Sequence, residues 1–222
     1  MDEKNTNEEE LLRMREHSRK MRRSVIIVVA CVLGVMAVLF GVVVLVEALS
    51  RGKSNVPDGD FEFYPVYEGD IMENAEYLGL NRQVDYCADP SGYGLTMSIT
   101  DENREEFEDS VLFLHDYIQT IIKGDAAAYN KLFNDKYFED NEPKGAFSQQ
   151  MLHEIDIRFM SESKEGEERL ITYRLEYQIH RNDGTFRRDV DSDASRPQDI
   201  TVRVGVDGSI LIERVITYYS KQ

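Results

Sequence analysis

The sequence contains few cysteines, and this scarcity limits how the protein can be stabilised. There are two in 222 residues: Cys31 lies within a long apolar run, and Cys87 lies far beyond it. A disulfide within one chain is therefore excluded, and the domain around Cys87 must fold without one, which its size allows. Cys87 either links two chains or is buried as a small hydrophobic residue.

Common catalytic and metal-binding motifs are also absent. The sequence has no G-x-S-x-G nucleophile elbow and no glycine-rich phosphate loop. It has neither a C-x-x-C nor an H-E-x-x-H pair, the usual sources of zinc ligands. These absences argue against the familiar hydrolases, zinc enzymes and nucleotide-binding proteins, and we expect no cofactor.

Positive charge is scarce as well. Lys and Arg total 26 against 42 Asp and Glu, which gives a formal net charge of −16. The imbalance lies after residue 46, where 19 basic and 36 acidic residues give 19 − 36 = −17. A field of this sign opposes binding to nucleic acid, anionic lipid headgroups and acidic polymers, so we expect no nucleic-acid partner.

One long apolar run is present, and it predicts a membrane anchor. Residues 25–46 contain no charge and no proline, and about 20 apolar residues suffice for a helix to cross a bilayer. Basic residues are denser before the run than after it, so the positive-inside rule places residues 1–24 in the cytoplasm. We expect a single-pass protein of the cell membrane with its C-terminal domain outside. The alternative is a cleaved signal peptide, whose apolar region is usually roughly 7–15 residues long.

Two residue sets around the predicted span have candidate roles. The basic set holds the tail to an anionic inner leaflet, or only orients the chain; it comprises Arg19, Lys20, Arg22 and Arg23. Small residues recur along one face of the span; they are Ala30, Gly34, Ala37 and Gly41. This spacing lets helices approach closely and makes a homo-oligomer a candidate state, although Gly and Ala are common in membrane spans generally.

The remaining chain predicts a linker and then a domain that begins with helices. Residues 47–62 contain Gly, Ser, Asn and Pro and predict the linker, so the domain spans residues 63–222. Early in the domain, "IMENAEYLGL" predicts a short helix and "DPSGYG" a turn. Thr100 is the candidate N-cap of a helix with one apolar stripe that ends at Gly124. Asp125 then caps a second helix, and "AFSQQML" predicts a third.

The last part alternates apolar and polar residues with period two, which is typical of strands. Tyr173 and Tyr177 share one predicted face, and His180 lies on the opposite, solvent-exposed face. "NDG" predicts a hairpin turn that leads into a strand "TFRRDV", and a shift of apolar parity around Glu213 predicts a β-bulge. The predicted fold is α+β, with two to three helices packed on a curved antiparallel sheet of about five strands.

This pattern resembles a known superfamily. A helix ending in "IIKGDAAAYNKLF", a short third helix and a long curved sheet are similar to the nuclear transport factor two-like superfamily of cystatin-like cones, over residues 103–219. The resemblance implies a cavity between helices and sheet. The superfamily includes isomerases, dehydratases, hydrolases and inactive domains, so fold alone assigns no function. The whole chain is also similar in architecture to single-pass assembly components of type IV secretion and conjugation systems.

Three residues are candidates to line that cavity. His115 lies at the edge of the apolar stripe, where an imidazole beside a carboxylate could act as a general base. Asp116 lies about 100° further round the helix and is a poor partner for it. Tyr173 and Tyr177 either line the cavity or pack in the core. The alternative for His115 is a boundary residue bonded to backbone or water.

An acidic loop near the C-terminus is a weak candidate for calcium binding. Asp189, Asp191 and Asp193 alternate like the first ligands of an EF-hand. Positions 6 and 12 of such a loop are then Ala194 and Ile200, which do not fit the motif. A looser ion site is one alternative, and a solvated polar loop is the favoured one.

Two classes of function remain. The favoured one is a membrane-anchored extracytoplasmic interaction or scaffold module without catalytic activity, which binds a protein or peptide. The other is a small-molecule binder or cavity enzyme that uses His115. A role as a component of a secretion or conjugation assembly is a further alternative.

Overall fold

The computed structural model describes residues 61–218, which form an α+β fold. The helices are α1 (Ala75–Leu78), α2 (Asp109–Ile122), α3 (Ala126–Asn130) and α4 (Asp135–Asp140), with 3-10 turns at Ile71–Glu73 and Arg104–Glu106. The strands are β1 (Val84–Cys87), β2 (Thr96–Ser98), β3 (Met151–Glu165), β4 (Glu168–His180), β5 (Gln198–Val204) and β6 (Ile210–Thr217).

The six strands form one mixed sheet in the order β2-β1-β3-β4-β5-β6. Strand β1 runs parallel to β3, and the other neighbouring pairs are antiparallel. The prediction of about five antiparallel strands therefore needs correction. Strand β1 has four residues and β2 has three, too few to show a clear period-two alternation, so the sequence pattern does not reveal them.

Helix α2 contains the predicted apolar stripe, but it begins later than expected. Its N-cap is Glu108 rather than Thr100. The main-chain N–H of Thr100 instead donates to the side chain of Asn103 at 2.8 Å, in a turn before the helix. The predicted end is confirmed, because Gly124 has φ +68° and a Cβ there would lie 2.7 Å from the main-chain nitrogen of Gln149.

The next two helices differ in how well local signals predict them. Asp125 caps α3 as expected, and its side chain accepts a main-chain hydrogen bond at 2.8 Å. The third helix is predicted at "AFSQQML", but the helix that follows α3 is α4, which is capped by Asn134. The "AFSQQML" segment is not helical: the N–H of Gln150 donates to the carbonyl of Ile122 at the end of α2, and β3 begins at Met151.

Strand β4 has the predicted apolar and polar faces, and the residues of the apolar face are buried while those of the polar face are half-buried. Its buried face consists of Ile171, Tyr173, Leu175, Tyr177 and Ile179. Helix α2 lies against this face, because the hydroxyl groups of Ser110 and Tyr173 are 2.7 Å apart. The helices therefore cover one side of the sheet, as expected for an α+β fold.

The predicted irregularity in the last strand is confirmed. Thr201 pairs with Arg214, and the next residue, Val202, pairs with Ile212. Glu213 is thus the extra residue of a β-bulge on β6. By contrast, "TFRRDV" is not a strand, since residues 181–197 form a loop between β4 and β5.

Aromatic side chains fill the space between the helices and one end of the sheet. The buried members are Tyr117, Tyr129, Phe133, Phe147 and Phe186. The ring of Tyr129 lies at the centre of this group, with centroid distances of 4.9 Å to Phe133 and 5.6 Å to Phe186. These separations are typical of packed aromatic pairs.

The predicted membrane anchor lies outside the described residues. Among residues 61–218, no helix has the length and apolar character needed to cross a membrane. The predicted tail, the predicted span at residues 25–46 and most of the predicted linker precede this part of the chain. Two sets of candidate residues also precede it: the small residues Ala30, Gly34, Ala37 and Gly41 and the basic residues Arg19, Lys20, Arg22 and Arg23. Their roles in helix packing and in contact with the inner leaflet stay predictions.

Candidate functional site

Two histidines and one aspartate meet where the sheet joins the long loop. His153 lies near the start of β3, His180 ends β4, and Asp193 belongs to the loop of residues 181–197. Asp193 Oδ1 lies 2.9 Å from His153 Nε2 and 3.0 Å from His180 Nδ1. The pairing of β3 with β4 brings the two histidines together, and the loop adds the carboxylate between them.

Backbone strain is concentrated at this cluster. Glu154, Arg181 and Asp193 have φ angles of 47°, 52° and 55°, and they are the non-glycine residues with positive φ among residues 61–218. Each such conformation costs on the order of 1–3 kcal/mol. Main-chain hydrogen bonds help to hold two of them, from Glu154 to Asn81 and from Asp193 to Ile179. Strain of this kind often accompanies functional sites, which makes the cluster a candidate.

A cleft of about 520 Å³ opens beside the cluster. It is lined by Leu80, His153, Glu154, Asp156, Glu176, Gln178 and Ser195. Asp156 and Glu176 are opposite each other on β3 and β4, and Asp85 is the partner of Asp156 on β1. Burial raises the pKa of Asp156, and the negative charges of Asp85 and Glu176 raise it further.

The chemistry of this cleft suits a positively charged group more than a nucleophilic reaction. The carboxyl groups of Glu154, Asp156 and Glu176 line the cleft, and a bound cation would offset the repulsion between carboxylates that adds to burial in raising the pKa of Asp156. His153 is already engaged through Nε2 with Asp193. Within the described part of the chain, no group of three or more His, Cys, Asp or Glu residues is arranged to hold a metal ion.

The structure places His115 at the surface edge of α2. Its Nδ1 lies 3.3 Å from Asp116 Oδ1 and 3.4 Å from Arg104 Nη1. Arg104 also donates to Asp116 at 2.9 Å, so the arginine draws the two neighbouring side chains together. The expectation that Asp116 is a poor partner for His115 is therefore wrong. The cleft beside His153 does not include His115 in its lining.

Tyr173 and Tyr177 are buried in the packed interior, and neither lines the cleft beside His153. Burial raises the pKa of Tyr173 to about 12, although its hydrogen bond with Ser110 partly offsets the effect. The hydroxyl of Tyr177 donates to Gln198 Oε1 and accepts from Arg187, both at 3.4 Å. Both hydroxyl groups therefore have hydrogen-bond partners within the domain. This is the arrangement expected if the two tyrosines pack in the core instead of lining a cavity.

The three loop aspartates have different partners and do not converge. Asp189 is buried against Arg187, with distances of 2.9 and 2.6 Å between the paired atoms. Asp191 is exposed and accepts from the main-chain N–H of Ser192. Asp193 points to the histidines. The expectation of a wholly solvated loop is therefore wrong at Asp189.

Sequence reasoning missed the cluster of His153, His180 and Asp193. It assigned His180 to a solvent-exposed face, whereas the side chain is only partly exposed and lies 3.7 Å from Glu76. The predicted pairing of two alternating strands was the available signal for bringing the histidines together. The sequence carries no comparable signal for Asp193, which lies 40 positions from His153.

Comparison with known proteins adds no family or relative. No protein-family model matches the chain, and neither curated proteins nor solved structures give a match.

Proposed function

We propose that this chain is a single-pass, membrane-anchored protein whose extracytoplasmic domain binds a protein or peptide and catalyses no reaction. The filled interior is the observation that carries the proposal. Tyr117, Tyr129 and Phe133 are packed and buried where a cone-shaped enzyme needs space for its substrate. The packing of the helices on one face of the sheet also supports the proposal that the domain is a member of the nuclear transport factor two-like superfamily.

The charge of the domain supports a basic partner. Residues 47–222 have a formal net charge of 19 − 36 = −17. Such a field accelerates encounters with positively charged surfaces and opposes encounters with acidic ones. Since exposed charges are screened by salt, binding should weaken as ionic strength rises.

A cavity enzyme that uses His115 has less support. At the edge of α2, Nδ1 of His115 lies 3.3 Å from Asp116 and 3.4 Å from Arg104, so one of these two side chains occupies it. A general base needs access to a bound substrate, and the neighbouring interior is occupied by buried side chains.

Photocrosslinking in the native membrane tests the proposal. A photoreactive residue replaces Tyr93 or Leu95, which are 94% and 81% exposed, and buried Tyr117 is the matched control position. We expect one protein adduct from the exposed positions, less of it at high salt, and none from the control. The proposal is wrong if neither exposed position gives an adduct, or if protease added to intact cells leaves the domain uncut.

A further inference from the structure

We infer that the first described segment, residues 61–67, docks on the outer surface of the membrane, with Tyr64, Val66 and Tyr67 in the headgroup region. This inference rests on the membrane anchor of the proposed function. It assigns a second contact surface to the domain, separate from the partner that the domain binds. The ligand is a bilayer surface without net charge.

The segment presents large apolar side chains to solvent. Tyr64, Val66 and Tyr67 are 45%, 50% and 37% exposed, and all lie within four consecutive positions. The segment contains no helix or strand that would bury them. A tyrosine ring is apolar while its hydroxyl is polar, and for this reason tyrosine is enriched where a membrane meets water.

Contacts with the long loop hold the segment in place. The N–H of Tyr64 donates to the carbonyl of Asn182 at 2.9 Å. The Arg181 guanidinium lies 5.3 Å from the centre of the Tyr64 ring. Phe63 packs against Gly184, where an added Cβ would lie 2.8 Å from the phenyl ring. Phe63 therefore faces the domain while its neighbour Tyr64 faces outward, so the exposed set is presented on a fixed support.

The position of the segment in the chain favours a membrane as its ligand. Residues 47–60 separate it from the predicted span, and at up to ~3.6 Å per residue they reach about 50 Å at most. The bilayer is therefore always within reach of this segment. Because the exported part has a net charge of 19 − 36 = −17, an anionic surface would repel it, and a neutral lipid surface is the chemistry that fits.

Tryptophan fluorescence tests this docking directly, because the chain contains no tryptophan of its own. Full-length Tyr64→Trp and Tyr67→Trp variants are reconstituted in phosphatidylcholine vesicles that carry nitroxide-labelled headgroups. We expect a blue shift of the emission relative to detergent micelles and a loss of intensity with the labelled lipid. Val66→Trp gives the same readout if either tyrosine variant fails to fold.

Tyr93→Trp is the matched control. Tyr93 is 94% exposed and lies in the β1–β2 loop, where the neighbouring Gly92 meets Arg158. The control position is far from the docking segment. Met151 on β3 pairs with His180, which lies beside that segment, and Arg158 is seven residues further along β3. At about 3.3 Å per residue this is a distance of roughly 23 Å. The control should therefore show neither the shift nor the loss of intensity.

Two further experiments distinguish docking from mere closeness to the bilayer, which the tether alone would cause. Adding Val66→Ser to Tyr64→Trp should reduce the loss of intensity, because an apolar side chain leaves the interface. Replacing part of the phosphatidylcholine with phosphatidylglycerol at low salt should also reduce it. Equal loss at Tyr64→Trp, Tyr67→Trp and Tyr93→Trp, or no loss in any of them, would overturn the inference while leaving the anchor intact. Release of the protein from vesicles by alkaline carbonate would overturn the anchor as well.

Discussion

Replacing Asp189 by alanine should destabilise the domain more than any other single change to the acidic loop. The carboxylate of Asp189 makes two charge-assisted hydrogen bonds to Arg187, and the two side chains are only 11% and 5% exposed. Arg187 also donates to the carbonyl of Arg196 and lies 5.6 Å from the centre of the Tyr177 ring, so it cannot simply turn outward to water.

The expected magnitude follows from the charge that remains. Removing one partner of a buried ion pair costs about 3–5 kcal/mol, because the other charge stays buried without compensation. Replacing both partners, as in Arg187→Met with Asp189→Leu, should cost much less, since neither charge remains. Asp191→Ala is the matched control in the same loop. Asp191 is exposed, and its loss should change the free energy of unfolding by no more than about 0.5 kcal/mol.

The effect should depend on pH. Burial alone would raise the pKa of Asp189, but the hydrogen bonds and charge of Arg187 outweigh burial and hold the pKa below its ordinary value. A carboxylate with a lowered pKa in the folded state stabilises the fold above the unfolded-state pKa of about 3.9. This stabilisation is lost as pH falls through the lowered value. The difference in stability between wild type and Asp189→Ala should therefore narrow in strong acid.

Urea unfolding of the full-length chain in detergent, followed by far-ultraviolet circular dichroism, measures these differences. The unfolding midpoint of Asp189→Ala should fall well below that of wild type, and calcium should not shift either midpoint. The ion-pair explanation fails if Asp189→Ala behaves like Asp191→Ala. It also fails if calcium raises the wild-type midpoint and not that of the variant, since the loop would then bind the ion.

Three other substitutions should lower the same midpoint for separate reasons. Gly124→Ala should cost more than about 1 kcal/mol, because φ is +68° and the new Cβ would lie 2.7 Å from the nitrogen of Gln149. Tyr173→Phe should cost about 1–3 kcal/mol, because the buried hydroxyl of Ser110 loses its partner. Asp125→Ala should cost about 1 kcal/mol through loss of the N-cap of α3.

Each of these explanations has its own check. A Gly124→Ala variant as stable as wild type would mean that the segment around Gln149 can move aside. If Ser110→Ala added to Tyr173→Phe recovers none of the lost stability, the hydrogen bond is not the cause. An unchanged midpoint for Asp125→Ala would indicate that solvent satisfies the freed N–H group at no cost.

Local signals in the sequence were sufficient for several elements. The apolar stripe, Gly124 and Asp125 correctly predict the body and end of α2 and the start of α3. The alternation in β4 predicts which side chains are buried, and the parity shift predicts the bulge at Glu213. These features depend on neighbours within a few positions, so composition and spacing carry them directly.

Other features depend on contacts between distant parts of the chain. The "AFSQQML" segment has a helical pattern, but the main-chain N–H of Gln150 donates to the carbonyl of Ile122, and the segment leads into β3 instead of forming a helix. Strand β1 joins the sheet through parallel pairing with β3, although the paired residues Val84 and Ile155 are 155 − 84 = 71 positions apart in the chain. In neither case does a local periodicity encode the outcome, because the stabilising contact is made by a remote residue.

The candidate site shows most clearly which features local sequence determines and which depend on contacts between distant residues. Residue order alone was enough to predict an α+β domain with two tyrosines on one strand face and polar residues on the other. It could not predict that Asp193 would meet His153 and His180, or that aromatic rings would fill the space beside Tyr177. Periodicity records which face of an element is buried. The partner that a side chain meets depends on how the long loop closes and how the helices pack over the sheet.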